Sequence, residues 1–141
     1  MISTTQISLV QNTWRQVLPA ENEVARLFYD KLFEIDPGLT QLFGTTDLRA
    51  QGRKLTAMIT TAVNGLTRLD SIVPAVRELG RRHAGYGVTE AHYDTVAAAL
   101  LWTLEQGLGD AFTPEVTQAW TCVYGILANT MKDAAAATVA A

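Results

Sequence analysis

The segment from Ile72 to Val88, IVPAVRELGRRHAGYGV, constrains this chain most tightly, because it puts a scarce residue type on the inward stripe of a helix. The chain holds two histidines in 141 residues, His83 and His92. Counted back from His83, Leu79, Val76 and Ile72 fall 4, 7 and 11 residues away, the spacing of one helical face. Gly85 and Gly87 then break the helix within a turn. The fold must therefore bury an imidazole against other apolar stripes. Taken alone, such a histidine is more often a core residue satisfied by a backbone carbonyl than a ligand.

The remaining signals are also helical. Ser3 with Gln6 has capping-box spacing and predicts a helix from about Thr4 to Leu18, with Ile7, Val10, Trp14 and Val17 inward and Pro19 closing it. A second helix starts near Ala20 or Glu21. Its stripe holds Val24, Leu27, Phe28, Lys31, Leu32 and Ile35, with Tyr29 and Phe33 near the borders. Asp36-Pro37 opens a short helix that ends at Leu42-Phe43-Gly44. From Asp47 to about Leu66, the residues Leu48, Gln51, Leu55, Ile59, Ala62 and Leu66 share one face, and Gln51 is its polar exception. Pro74 enters the next helix, the one that leads to His83, within its first turn. Thr89 caps a helix carrying Tyr93, Val96, Ala97, Leu100 and Leu104 inward, ended by Gly107 and Gly109. Thr113-Pro114 opens the last one, with Val116, Trp120, Val123, Tyr124, Leu127 and Met131 inward and fraying expected over residues 134–141. No segment alternates long enough for a sheet, so an all-α single domain over residues 1–141 is predicted.

Composition excludes several functions. A net charge of -3 argues against a dedicated nucleic-acid binder. One cysteine, Cys122, excludes an internal disulfide and a multi-cysteine metal site. The first residues lack a secretion signal and the longest apolar run, Val96 to Trp102, is too short to span a bilayer, so a cytoplasmic location is expected. No inward acidic pair, nucleophile motif or phosphate loop suggests hydrolytic or phosphoryl chemistry. An inward histidine without a second metal-type ligand nearby does suit a planar cofactor that brings four equatorial ligands, which is haem.

At this point the motifs carry a resemblance. They are Leu27-Phe28-Tyr29-Asp30-Lys31-Leu32-Phe33, Asp36-Pro37 with Leu42-Phe43, Gln51-Gly52-Arg53-Lys54-Leu55, Leu79-Gly80-Arg81-Arg82-His83, Ala91-His92-Tyr93, and Ala119-Trp120 through Asn129. From about Ile7 to Met131 the chain resembles single-domain bacterial globins, including the globin part of flavohaemoglobins and short neuroglobin-like haemoglobins. The resemblance implies a globin fold of about seven helices around one haem b. It makes His83 the proximal iron ligand, Phe43 the ring stacked on the haem, Tyr29 and Gln51 the distal hydrogen-bond donors, and Leu55 the roof. Lys54 and Arg82 become possible propionate partners, and Leu79, Val88 and Val96 edge contacts. His92 is expected at the surface or rim. Tyr93, with Tyr124 as a possible partner, matches a proximal network that also contains a glutamate, but that position, eleven residues after Tyr124, is Ala135.

The implied function is binding of O2, and of NO and CO, for storage or transport. A nitric oxide dioxygenase served by a separate reductase is the alternative, because the flavohaemoglobin reductase domain has no counterpart in these 141 residues. A gas sensor or a haem-free helical module stands further off.

Overall fold

The helices that follow Ser3 and Asp47, and the turn that follows Asp36, begin where a side chain satisfies the first free N–H groups. Ser3 accepts from the Gln6 amide while its own N–H donates to the Gln6 side chain, 3.1 and 3.0 Å, and starts α1 (Thr4–Val17). Helix α2 spans Glu21–Ile35 with two acidic residues in its first turn, where the helix dipole favours them. Asp36 accepts from Gly38 N–H and opens a 3-10 turn over Pro37–Leu39, which runs into the four-residue α3 (Thr40–Phe43). Asp47 accepts from the Arg49 and Ala50 amides at the start of α4 (Leu48–Asn64). The chain continues with α5 (Leu69–Gly85), α6 (Glu90–Leu108) and α7 (Pro114–Ala140). This computed structural model describes residues 2–140, with side chains from 2 to 136, and contains no strand among them. The predicted all-α architecture is therefore the observed one, as six long helices and the short α3.

The helices pack in crossed pairs: α5 along α7, α2 across α6 and α4, and α1 against α7. Val10, Trp14, Val17, Leu104, Trp120 and Val123 form the centre, all 3% exposed or less. Two indole N–H groups sit in this apolar interior, and each has a partner. Trp120 Nε1 donates to Thr13 Oγ1 and Trp14 Nε1 to Thr60 Oγ1, both at 2.9 Å, while the rings meet edge to face at 6.0 Å. The threonine hydroxyls donate to helix carbonyls at Leu9 and Thr56, so the network ties α1, α4 and α7 with every polar atom used.

Several expectations shift. Ile35 and Leu48 lie at helix ends beyond the reach of the core and are 42% and 38% exposed. Tyr29, predicted at the border of its stripe, is buried at 6% because α3 folds Phe43 over it. The helix to His83 begins at Leu69, so Pro74 falls in its second turn rather than its first. Helix α7 continues past Ala134 to Ala140, and Ala134 is itself fully buried. Ala141 lies outside the described residues.

Helices α5 and α7 approach so closely at Gly80 that a Cβ would sit 2.4 Å from the Met131 carbonyl oxygen and 2.6 Å from its Cα. Backbone cannot rotate away as a side chain can, so the helices would have to separate. We expect Gly80→Ala to cost roughly 1–3 kcal/mol in denaturant unfolding. Gly85→Ala, five residues further along the same helix with nothing within 4 Å of its Cβ, should fall within about 0.5 kcal/mol of the parent. Equal stability of the two variants would remove the close approach as a determinant of the fold.

Candidate functional site

A cavity of about 180 Å³ opens among the helices. Leu55, Met58 and Ile59 of α4 form one wall, Leu79 and His83 of α5 another, and Tyr93 and Val96 of α6 with Leu127 and Met131 of α7 the rest. Phe28, Val88, His92, Trp120 and Tyr124 also line it. Nearly all of this lining is hydrocarbon, and the two imidazoles and two phenols are its main polar groups.

His83 is held in one orientation. Its Nδ1 lies 2.8 Å from the Leu79 carbonyl oxygen, an acceptor only, so Nδ1 carries the proton. The lone pair of the neutral ring is then on Nε2. Burial holds the imidazole below its usual pKa, the Leu79 bond opposes that shift, and the nearby Arg82 charge adds to it. The ring is thus kept neutral, as a metal ligand must be.

The turn after His83 explains its neighbours. Val88 N–H donates to the His83 carbonyl and Gly87 N–H to the Ala84 carbonyl, both 3.1 Å, the two bonds of a Schellman cap. The residue at the left-handed position is Gly87, with φ +90°, whereas Gly85 remains inside the helix. The cap folds Val88 back beside His83, and both reach the cavity.

Beside the cavity, Tyr29 packs among Phe28, Phe33 and Phe43, with ring centroids 5.1, 6.1 and 5.5 Å away. Burial pushes the Tyr29 phenol up to about 12, partly offset by hydrogen bonding with Gln51. It is therefore protonated at neutral pH and available as a donor. Gln51 is half-buried and precedes the cavity-lining Leu55 by one helical turn.

The predicted residues thus separate into three groups. Leu55, Leu79, His83, Val88, Tyr93 and Val96 meet at the cavity. Tyr29, Gln51 and Phe43 form a cluster beside it without being among its lining residues. Lys54 and Arg82 are exposed, and Arg82 reaches Glu78 at 3.7 Å, so neither cation is brought to the cavity wall. The expected tyrosine network around His83 is also different. The Tyr124 hydroxyl donates to the Tyr93 backbone carbonyl at 2.6 Å, and His83 Nδ1 has a carbonyl rather than a carboxylate as its partner. His92, expected at the surface or rim, is half-buried and lines the cavity. Met58 and Phe28 were not foreseen there, since an apolar residue of a stripe looks the same whether it faces core or cavity.

These residues suit a haem. Among the described residues no cluster of three or more His, Cys, Asp or Glu side chains could hold a bare metal ion. An iron at His83 would then bring its own further ligands, and an apolar slot lined by this imidazole suits a flat porphyrin.

Crossed helices that present an oriented imidazole to an apolar slot define a class of helical haem-pocket folds. The chain belongs to the globin family, whose family model, Globin, matches residues 26–131. It is 30% identical over 132 residues to the flavohemoprotein of Bacillus subtilis (strain 168), covering 92% of this chain and 33% of that protein. A flavohemoprotein of Xylella fastidiosa (strain Temecula1) is 30% identical over 129 residues, covering 90% and 32%. The chain thus spans about a third of the length of these relatives. Among solved structures, the engineered carbene transferase RmaNOD from Rhodothermus marinus superposes with a TM-score of 0.89 at 24% identity, covering 99% of this chain and 97% of that one, which shows a shared fold. No helix among the described residues is long and apolar enough to cross a membrane.

The depressed pKa of His83 has a defined consequence for the haem-free chain. Above the unfolded value of 6.5, the ring is neutral in both states and its burial carries no protonation penalty. As pH falls through 6.5 toward the lower folded value, only the unfolded chain takes up the proton, so stability is lost across that window. We expect His83→Gln to flatten the decline in unfolding free energy between about pH 7.5 and about pH 5. Parallel curves for parent and variant would show that the ring is not held neutral.

Proposed function

We propose that the chain is a haem b-binding globin that takes up O2, in which His83 would hold the haem through Nε2 and Tyr29 and Gln51 would act on the bound gas. The observation that carries this reading is the His83–Leu79 bond, which fixes the tautomer and leaves a lone pair on a ring that lines an apolar cavity. Bound haem would supply an iron that coordinates diatomic gases such as O2, NO and CO. The protein's own residues decide how such a ligand is retained. Tyr29 stays protonated because it is buried, and a buried phenol donor stabilises a partly negative acceptor by roughly 1–3 kcal/mol. Gln51 offers a second donor on the same side, and Leu55 with Met58 and Ile59 keeps water from the apolar wall.

A second reading, nitric oxide dioxygenase activity, is favoured by the flavohemoprotein relatives and by the same pair of donors. It requires electrons from a separate reductase. The neutral carbonyl partner of His83 favours ligand retention over turnover, because a carboxylate there would make the imidazole a stronger electron donor.

The test is spectroscopic. Haemin added to the purified chain should give a Soret band in a one-to-one titration. His83→Ala should lose most of it and recover it with added imidazole. Tyr29→Phe should leave haem binding intact and raise the O2 dissociation rate by roughly tenfold or more. Full haem retention by His83→Ala, or an unchanged off-rate in Tyr29→Phe, would overturn the corresponding assignment. Sustained nitrate production with a supplied reductase would establish the dioxygenase reading instead.

A further inference from the structure

His92 is the polar side chain at the cavity that the reading above leaves without a role. His83 is committed to Leu79 and the iron, and the Tyr124 hydroxyl to the Tyr93 carbonyl. Tyr93 itself is buried, 8% exposed, whereas His92 is half-buried and so stands at the margin where the cavity meets solvent. Its position is fixed by the start of α6. The Thr89 backbone N–H donates to His92 Nδ1 at 3.0 Å, so Nδ1 is an acceptor and the ring proton is on Nε2. No other hydrogen bond engages that Nε2–H among the described residues. The result is a donor of fixed tautomer on a half-buried side chain that lines the same apolar slot as Val88 and His83.

A porphyrin entering such a slot must leave its two carboxylates at the mouth, because burying them without partners is costly. The cations expected to meet them are elsewhere: Lys54 is exposed and does not line the cavity, and Arg82 is turned to Glu78. We propose that His92 donates from Nε2 to a carboxylate of the porphyrin and is a haem-anchoring residue. This rests on the haem-binding reading. It gives the helix start a second use, since the bond that caps α6 also selects the tautomer that faces the ligand.

The proposal separates a carboxylate contact from a structural one. The haemin-loaded protein and two variants are transferred to an apoglobin scavenger, and the rate of haem loss is followed by absorbance. The series is repeated with haemin dimethyl ester, which lacks the carboxylates. His92→Leu removes both the donor and the cap; His92→Gln keeps an acceptor for Thr89 N–H and an amide donor. We expect His92→Leu to lose haemin roughly tenfold faster than the parent, with little change for the ester, and His92→Gln to stay near the parent. An unchanged rate in His92→Leu, or the same acceleration for both porphyrins, overturns the proposal in favour of a purely capping role. Failure of the parent chain to bind haemin would overturn the haem-binding reading itself, which is a different outcome.

Discussion

The hydrogen bond between His83 Nδ1 and the Leu79 carbonyl is the constraint on which the site depends. It is a bond within one helix turn, so it costs no long-range organisation, and it settles tautomer, ring orientation and lone-pair direction together. Its strength depends on the helix holding its register as far as the ring. That is the task of the Schellman cap, which returns Val88 N–H to the carbonyl of His83 itself. The backbone of His83 is thus anchored from the C-terminal side and its side chain from the N-terminal side.

An oriented imidazole is of use only if α5 stands at a fixed distance from the other walls. That distance is set by the contact of Gly80 with the Met131 backbone. Met131 also lines the cavity, so the surface that fixes the spacing of α5 and α7 is continuous with the site. The Trp14–Trp120 pair continues the same chain of support. Trp120 touches the cavity on one side, and its indole N–H holds Thr13 of α1 on the other. Core and site therefore share residues, and packing faults at the centre should be felt at His83.

Much of this was legible in the sequence where local chemistry decides the outcome. The caps at Ser3, Asp36 and Asp47 and the stripes of Val10–Trp14–Val17 and Ile72–Val76 follow from hydrogen-bonding needs and helical period alone. His83 and its cavity neighbours Leu79, Val88 and Val96 were readable for the same reason, helped by the motifs that mark the family. What failed depended on geometry between elements. Gly85 and Gly87 are indistinguishable until the backbone shows which one is left-handed. Ile35 and Leu48 continue the apolar period past the point where a neighbouring helix can cover them. His92 was set aside because its sequence neighbours do not reveal that a cap would turn its ring and place it at the cavity edge.

Burial acts in opposite directions on the two groups. At His83 it lowers a basic pKa and so favours the neutral ring. At Tyr29 it raises an acidic pKa and so keeps the phenol protonated. Both follow from one cause, the cost of charge in an apolar surrounding. Apolar surroundings therefore leave a lone pair on His83 at the cavity and a proton on Tyr29 in the aromatic cluster beside it, with no charged residue in the cavity wall. A wetter pocket would relax both shifts at once, which is why the aromatic cover of Phe28, Phe33 and Phe43 over Tyr29 matters as much to the chemistry as the donors themselves.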